Sequence, residues 1–183
     1  MQLKKIAQSN IIRIGGNILF FGLLLLMLFH PNAKAWMLQQ LMAVGLFKAE
    51  IKNDMPVVNR ASNSISFSYR DDNGNEFSSD NFKGKVVFIN FWATWCPPCI
   101  AEMPSVNSLY SKMKDNPNVV FILADADQNL KKSTNFMKKN NYDLPVYMPT
   151  GPVPGMLFTG SLPTTVIINK KGEIVYSHPG MAN

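Results

Sequence analysis

Residues 85–104 read KVVFINFWATWCPPCIAEMP, and their order decides the fold. The run from Val86 to Trp92 is apolar on both faces, as expected of a central strand covered by helices, whereas a half-exposed strand would alternate. Beyond the cysteines, Ile100, Met103, Val106, Leu109, Tyr110 and Met113 recur at helical intervals. Cys96 and Cys99 therefore fall where a buried strand gives way to a helix.

Upstream, ISFSY from Ile65 alternates apolar and polar residues, RDDNGNE is rich in turn formers, and EFSSDNF leads into the central strand, so a hairpin is predicted ahead of it. Downstream, VVFILAD (119–125) reads as a second buried strand, followed by a helix around 128–140 with Leu130, Phe136 and Met137 turned inward. YDLPVYMP and then LPTTVIINKKGEIVYSH add a strand, a turn at Lys171-Gly172 and a returning strand. The order of elements predicts an α/β fold, with a mixed central sheet flanked by helices. Asp125 and Asp127 read as helix caps, Phe91, Tyr110 and Phe121 as core, and His178 as a surface residue near the end of the last strand.

The first third of the chain is of another kind. Residues 14–29 are apolar except for Asn17, and extended back to Ile11 they match one bilayer crossing of roughly 17 to 25 residues. Lys4, Lys5 and Arg13 precede this run and basic residues thin out after it, which places the start inside and the remainder outside. Ala33-Lys34-Ala35 has the form of a signal-peptide cleavage site, but the apolar run exceeds the usual h-region of roughly 7–15 residues, and an uncleaved anchor is the expectation; both readings export the domain. In AWMLQQLMAVGLF (35–47), Trp36, Leu38, Leu41, Met42, Gly45 and Leu46 recur near helical spacing, as suits an interfacial helix; one packed on the domain, or a flexible neck, fits so short a pattern equally well. Residues 48–64 are polar and broken by Pro56, as in a linker. The expected organisation is a cytoplasmic N-terminus (1–13), a transmembrane signal-anchor (14–29), an amphipathic segment and linker (30–64) and one folded domain (65–183).

Composition narrows the function classes. With 183 residues, 46% hydrophobic and 16% charged, the chain holds one globular domain plus an apolar extension. The net charge of +6 comes from scattered pairs such as Lys131/Lys132, Lys138/Lys139 and Lys170/Lys171, with no basic stripe or stacking aromatics, so no nucleic-acid partner is expected. Neither His30 nor His178 stands in ligand spacing with the cysteines, which argues against zinc, and Ile100 stands where a covalent haem site needs His. No flavin or nicotinamide fingerprint is present, so no cofactor is expected beyond the cysteine pair itself.

A structural disulfide closing two intervening residues removes little loop entropy, whereas the same spacing at a helix start suits a reversible dithiol. Cys96, at the helix N-terminus, is the expected attacking thiolate, and Cys99, one turn further in, the resolving thiol. Attack on a substrate disulfide gives a mixed disulfide on Cys96, which Cys99 displaces, releasing reduced substrate and leaving Cys96–Cys99 oxidised. Pro97 and Pro98 remove two N–H donors and fix two φ angles, and so tune the site.

FWATWCPPC, taken with Pro163 in SLPTT, resembles the thioredoxin superfamily and, within it, the TlpA/ResA-type membrane-anchored thiol-disulfide oxidoreductases, over about residues 65–178. The resemblance implies a thioredoxin-like fold with a cis-proline loop at Leu162-Pro163 facing the cysteines, where the backbone of Leu162 pairs with a substrate strand. It also implies that Glu102, followed by Pro104, is an acid able to exchange a proton with the buried thiol where burial raises its pKa. Trp92 and Trp95 are expected to pack around the disulfide and, with Pro97 and Pro98, to shape the substrate surface, although plain core packing suits Trp92 at least as well. Implied partners are protein thiols and disulfides, with apocytochrome c as a candidate substrate, and a thiol-based electron donor such as a membrane relay. Two departures stand out. Asn90 occupies the strand position where cytoplasmic thioredoxin carries a buried Asp, which shifts the proton-handling role to Glu102. After IVYSHPGMAN the sequence stops where the fold usually adds a helix, so the C-terminal helix is expected to be absent or truncated.

The leading function is thus a dithiol reductant of protein disulfides on the outer side of the cytoplasmic membrane. A disulfide oxidase or isomerase would use the same residues, and a peroxidase of this fold ranks below because its cysteine does not sit in Trp-Cys-x-x-Cys. A copper-delivery protein would want three residues between its cysteines, and a non-catalytic adaptor would tolerate Cys96→Ser.

Overall fold

A computed structural model describes residues 2–29, 31–43 and 65–181. Its core is a seven-stranded sheet in the order β2-β1-β5-β4-β3-β6-β7, formed by β1 (Ser68–Asp71), β2 (Glu76–Ser78), β3 (Val86–Trp92), β4 (Val119–Asp125), β5 (Val146–Pro149), β6 (Thr164–Ile168) and β7 (Ile174–Pro179). The three central strands β3, β4 and β5 run parallel, while β6, β7, β1 and β2 join antiparallel, which makes the sheet mixed as expected. Helix α3 (Pro97–Met113) connects β3 to β4, and α4 (Leu130–Lys139) connects β4 to β5.

The two buried strands occupy the spans read from their apolar runs, because a strand covered on both faces is written as a near-continuous apolar sequence, here interrupted only by the buried Asn90 and closed by the buried Asp125. Alternate residues of β3 feed two cores. Phe88 and Trp92 pack under α3 and α4 with Cys99, Met103, Phe121 and Met137, whereas Val87, Ile89 and Phe91 face Tyr69, Ile122, Leu157 and Val166. Phe158, from the loop before β6, stacks on Phe91 with ring centroids 4.5 Å apart and closes that second face. Each fully buried side chain of this kind contributes about 1.5–3 kcal/mol. Of the three residues expected inward on α4, Met137 is buried and Leu130 and Phe136 are partly so; Ser133 joins them inside.

Boundaries set by partners differ from those set by pattern. The first strand begins at Ser68, not Ile65, because its neighbour β2 is only three residues long and the ladder reaches no further than the Ser68–Ser78 pair. The turn between them is tied by the Asp71 carboxylate, which accepts the N–H groups of Asn73 and Asn75, while Gly74 takes φ +86°. The Lys171-Gly172 turn forms with Gly172 at φ +83°. No helix follows β7 among the described residues.

Ahead of the domain, α1 (Gln2–Phe29) and α2 (Pro31–Ala43) are helical. The expected crossing at 14–29 lies within α1, whose described apolar side chains, including Ile18, Leu19, Phe20 and Phe21, are exposed. Side chains 26–28 lie outside the described residues, and among the described residues no helix is long and apolar enough to cross a membrane. Helix α2 starts four residues before the expected segment at Ala35 and packs on the domain. Ala35, 1% exposed, meets Ile100 and Ala101 of α3, Leu38 lies one turn along the same face, and Trp36 and Met37 point away. The linker at 48–64, Gly45, Leu46 and the side chain of Met42 lie outside the described residues.

Candidate active site

Strand β3 ends at Trp92, and a turn through Ala93, Thr94 and Trp95, closed by the Cys96 N–H on the Ala93 carbonyl at 3.2 Å, delivers Cys96 to the start of α3. Cys96 is the N-cap residue, with extended backbone (φ −90°, ψ 103°), and its Sγ accepts the N–H of Cys99 at 3.3 Å. Pro97 and Pro98 hold the first two helical positions, where an N–H has no intrahelical acceptor and proline's fixed φ suits the helix. Cys96 and Cys99 are joined as a disulfide. Cys99 is fully buried and Cys96 is 4% exposed, so Cys96 is the sulfur nearer solvent. On reduction the Cys99 N–H and the positive end of the helix dipole both favour a thiolate at Cys96.

Glu102 is completely buried, which rules out the plain surface glutamate that a helix position alone would suggest. The Nδ2 of Asn90, also fully buried, donates to Glu102 Oε1 at 2.8 Å and to Thr165 Oγ1 at 3.1 Å. The Asn90–Thr165 pair lies in register across β3 and β6, and α3 brings Glu102 over it one turn beyond Cys99. Burial and, secondarily, the charge of Glu102 push the Tyr176 phenol up. Pro104, inside α3, deprives the Ile100 carbonyl of its helical donor; one residue along, Gln39 of α2 reaches the Ala101 carbonyl at a long 3.5 Å.

The Leu162–Pro163 peptide is cis. Pro163 is buried, its carbonyl accepts the Gly180 N–H at 2.8 Å, and Thr164 Oγ1 donates back to the Ser161 carbonyl at 2.7 Å, so the loop is held on both sides. Leu162 packs against the cluster that contains both cysteines. Of the other expected substrate-surface residues, Trp95 is 57% exposed and Pro97 and Pro98 are half-exposed. Trp92 is fully buried against Phe136 at 5.4 Å and belongs to the core. Phe91 and Phe121 are core, Tyr110 is half-buried against Phe121, and His178 is half-buried beside Tyr176.

The reading of Asp125 and Asp127 as caps is corrected by the structure. Asn129 is the N-cap of α4, accepting the Lys132 N–H at 3.1 Å. The Asp125 carboxylate instead accepts the N–H groups of Asp127 and Asn129, both at 2.9 Å, and folds the β4–α4 loop on itself. Asp127 reaches out of that loop to Thr94, two residues before Cys96. Position in sequence gave no hint of this contact, since 33 residues separate the partners. Thr165 was likewise missed as a partner of Asn90, although its place two residues after the cis-proline was a signal that could have found it.

Residues 53–183 match the family model described as Redoxin. The thiol-disulfide oxidoreductase ResA of Bacillus cereus is 38% identical over 125 residues, covering 68% of this chain and 70% of that protein. Among solved structures, StoA from Bacillus subtilis is 27% identical with a TM-score of 0.52, over 70% of this chain and 93% of that one. The exposed lipoprotein thioredoxin Etrx1 from Streptococcus pneumoniae is 28% identical with a TM-score of 0.52, over 64% and 91%. With a disulfide at the head of α3 beside a cis-proline and a match over more than half its length, this chain belongs to the Redoxin family, as a thiol-disulfide oxidoreductase of the ResA type.

Proposed function

We propose that the chain is a reductant of protein disulfides, acting outside the cytoplasmic membrane through Cys96 and Cys99. The observation that carries the reading is the buried Glu102, held by Asn90 one turn beyond Cys99. As reductant, Cys99 must give up a proton to displace the mixed disulfide on Cys96, and Cys99 has no exposed surface through which water could take it. Glu102 supplies the base at that place. An extended substrate segment lies along Leu162-Pro163, with Trp95, Pro97 and Pro98 forming the opposite wall. The likeness to ResA supports thiol-disulfide exchange; the proposal adds a thiol protein or membrane relay as the electron donor and apocytochrome c as a candidate substrate.

The export and tethering of the domain are part of the same proposal. The chain is placed as a single-pass protein of the cytoplasmic membrane, N-terminus inside, with the catalytic domain facing the periplasm or cell exterior. Support comes from the exposed Ile, Leu and Phe side chains of α1 and from Lys4, Lys5 and Arg13 preceding its most apolar part. Direction is tested by the equilibrium reduction potential of the Cys96–Cys99 couple in a glutathione or dithiothreitol series. A value near or below about −270 mV is expected; one close to about −120 mV makes the protein an oxidant and overturns the reading.

A further inference from the structure

The turn that carries Trp95 and Cys96 is fastened from outside its own segment. At its base the Ala126 N–H donates to the Trp92 carbonyl at 2.9 Å, continuing the β3–β4 ladder by one rung. One step on, the Thr94 N–H donates to Asp127 Oδ2 at 2.7 Å, and the other carboxylate oxygen of Asp127 takes the Lys132 ammonium at 2.8 Å. The Asp127 side chain is 5% exposed. Its loop is in turn locked by Asp125, which accepts two of the loop's N–H groups, and the bend places Gln128 at φ +53°. A non-glycine residue in that region is uncommon, and the surrounding hydrogen bonds hold it there. So the turn leading to the nucleophile is tied to the far end of β4 by one carboxylate, itself fixed by a helix cation.

We infer that Asp127 is a positioning residue for thiol-disulfide exchange: its carboxylate, clamped by Lys132, holds the Thr94 N–H and so sets where the Cys96 sulfur stands relative to the N-terminus of α3 and an incoming disulfide. The charge of Asp127 by itself would work the other way, since a nearby anion disfavours a thiolate. A positioning role and an electrostatic one therefore predict opposite shifts when Asp127 is changed.

The test uses the full chain in detergent, reduced, reacting with a small aromatic disulfide from about pH 4 to 9, with urea unfolding followed in parallel. Asp127→Ala, which removes the tie, is expected to lower the pH-independent rate about tenfold and move the apparent Cys96 pKa up. Asp127→Asn keeps an oxygen acceptor for Thr94 without the charge, and is expected to stay within about threefold of the wild-type rate. The inference is overturned if Asp127→Ala changes the urea midpoint but leaves rate and pH profile as in wild type, or if both variants lower the apparent Cys96 pKa. Should Asp127→Ala fail to fold, the double variant Asp127→Asn, Lys132→Met decides: a near-normal rate shows that an acceptor for the Thr94 N–H suffices without the ion pair and supports the inference, and a tenfold loss overturns it.

Discussion

Replacing Trp95 by Ala should impair protein substrates and spare small ones. The indole is 57% exposed beside a disulfide that is almost wholly buried, so a partner chain that reaches Cys96 must slide over it. Of roughly 250 Å² offered by a tryptophan, the exposed share is about 140 Å². At about 25 cal/mol per Å², complete cover by a substrate is worth at most about 3.5 kcal/mol. A single docked strand covers about half of that, leaving about 1.7 kcal/mol, or a rise in KM of about fifteen- to twentyfold. Steady-state reduction of a folded disulfide protein and of a small aromatic disulfide, measured side by side, separates the effects: KM for the protein rises while kcat and the small-disulfide rate stay near wild type. An equal loss on both substrates would mean that Trp95 acts on the chemistry of Cys96, and an unchanged KM would remove it from the docking surface.

Three further outcomes follow from the same geometry. Mild alkylation of the reduced protein below neutral pH should label Cys96 first, because it is the outer sulfur and has the helix N-terminus beside it; preferential labelling of Cys99 reverses the assigned roles. Glu102→Gln removes a carboxylate one turn from Cys99, so the pH profile of the resolving step should lose its dependence on that group, and an identical profile would leave Glu102 with a packing role only. For Asp127, burial works against ionisation, but the hydrogen bonds from Lys132 and Thr94 outweigh it and hold the carboxyl below its usual value. Its contribution to stability is then fully present above the ordinary carboxylate value of about 3.9 and fades as pH falls through the lower folded value. The gap in urea midpoint between wild type and Asp127→Asn should be constant near neutrality and shrink in acid; a gap that persists to about pH 2 contradicts this.

The parts legible in the sequence were those governed by local pattern. The run Val86–Trp92 announced its strand to the residue, since nothing but burial on both faces explains so continuous an apolar stretch ahead of two prolines. Cys96 and Cys99 stood out by their spacing where a strand gives way to a helix, whereas Pro163 was legible only through the resemblance to the thioredoxin superfamily. What stayed hidden were contacts made by polar side chains across long separations. Asp127 looked like a cap because aspartates before helices usually are, and only the tertiary loop geometry turns it toward Thr94. Thr165 looked like an ordinary strand threonine until register set it opposite Asn90. The burial of Glu102 is of the same sort: its helix position was readable, but whether that face met the sheet depended on how α3 lies over β3 and β6.

The seating of Ala35 and Leu38 on α3 changes what kind of attachment the N-terminal part provides. Residues 44–64 are 21 in number, and pulled straight a chain of that length reaches about 70–75 Å, enough for a leashed domain to search a wide volume. With α2 seated on Ile100 and Ala101, the helix bearing the disulfide is bolted directly to the segment that follows α1. Cutting the protein at Lys48 would remove that helix and bare two buried side chains next to Cys99, so kinetics of the severed domain would describe a disulfide helix packed differently from the one in the intact chain.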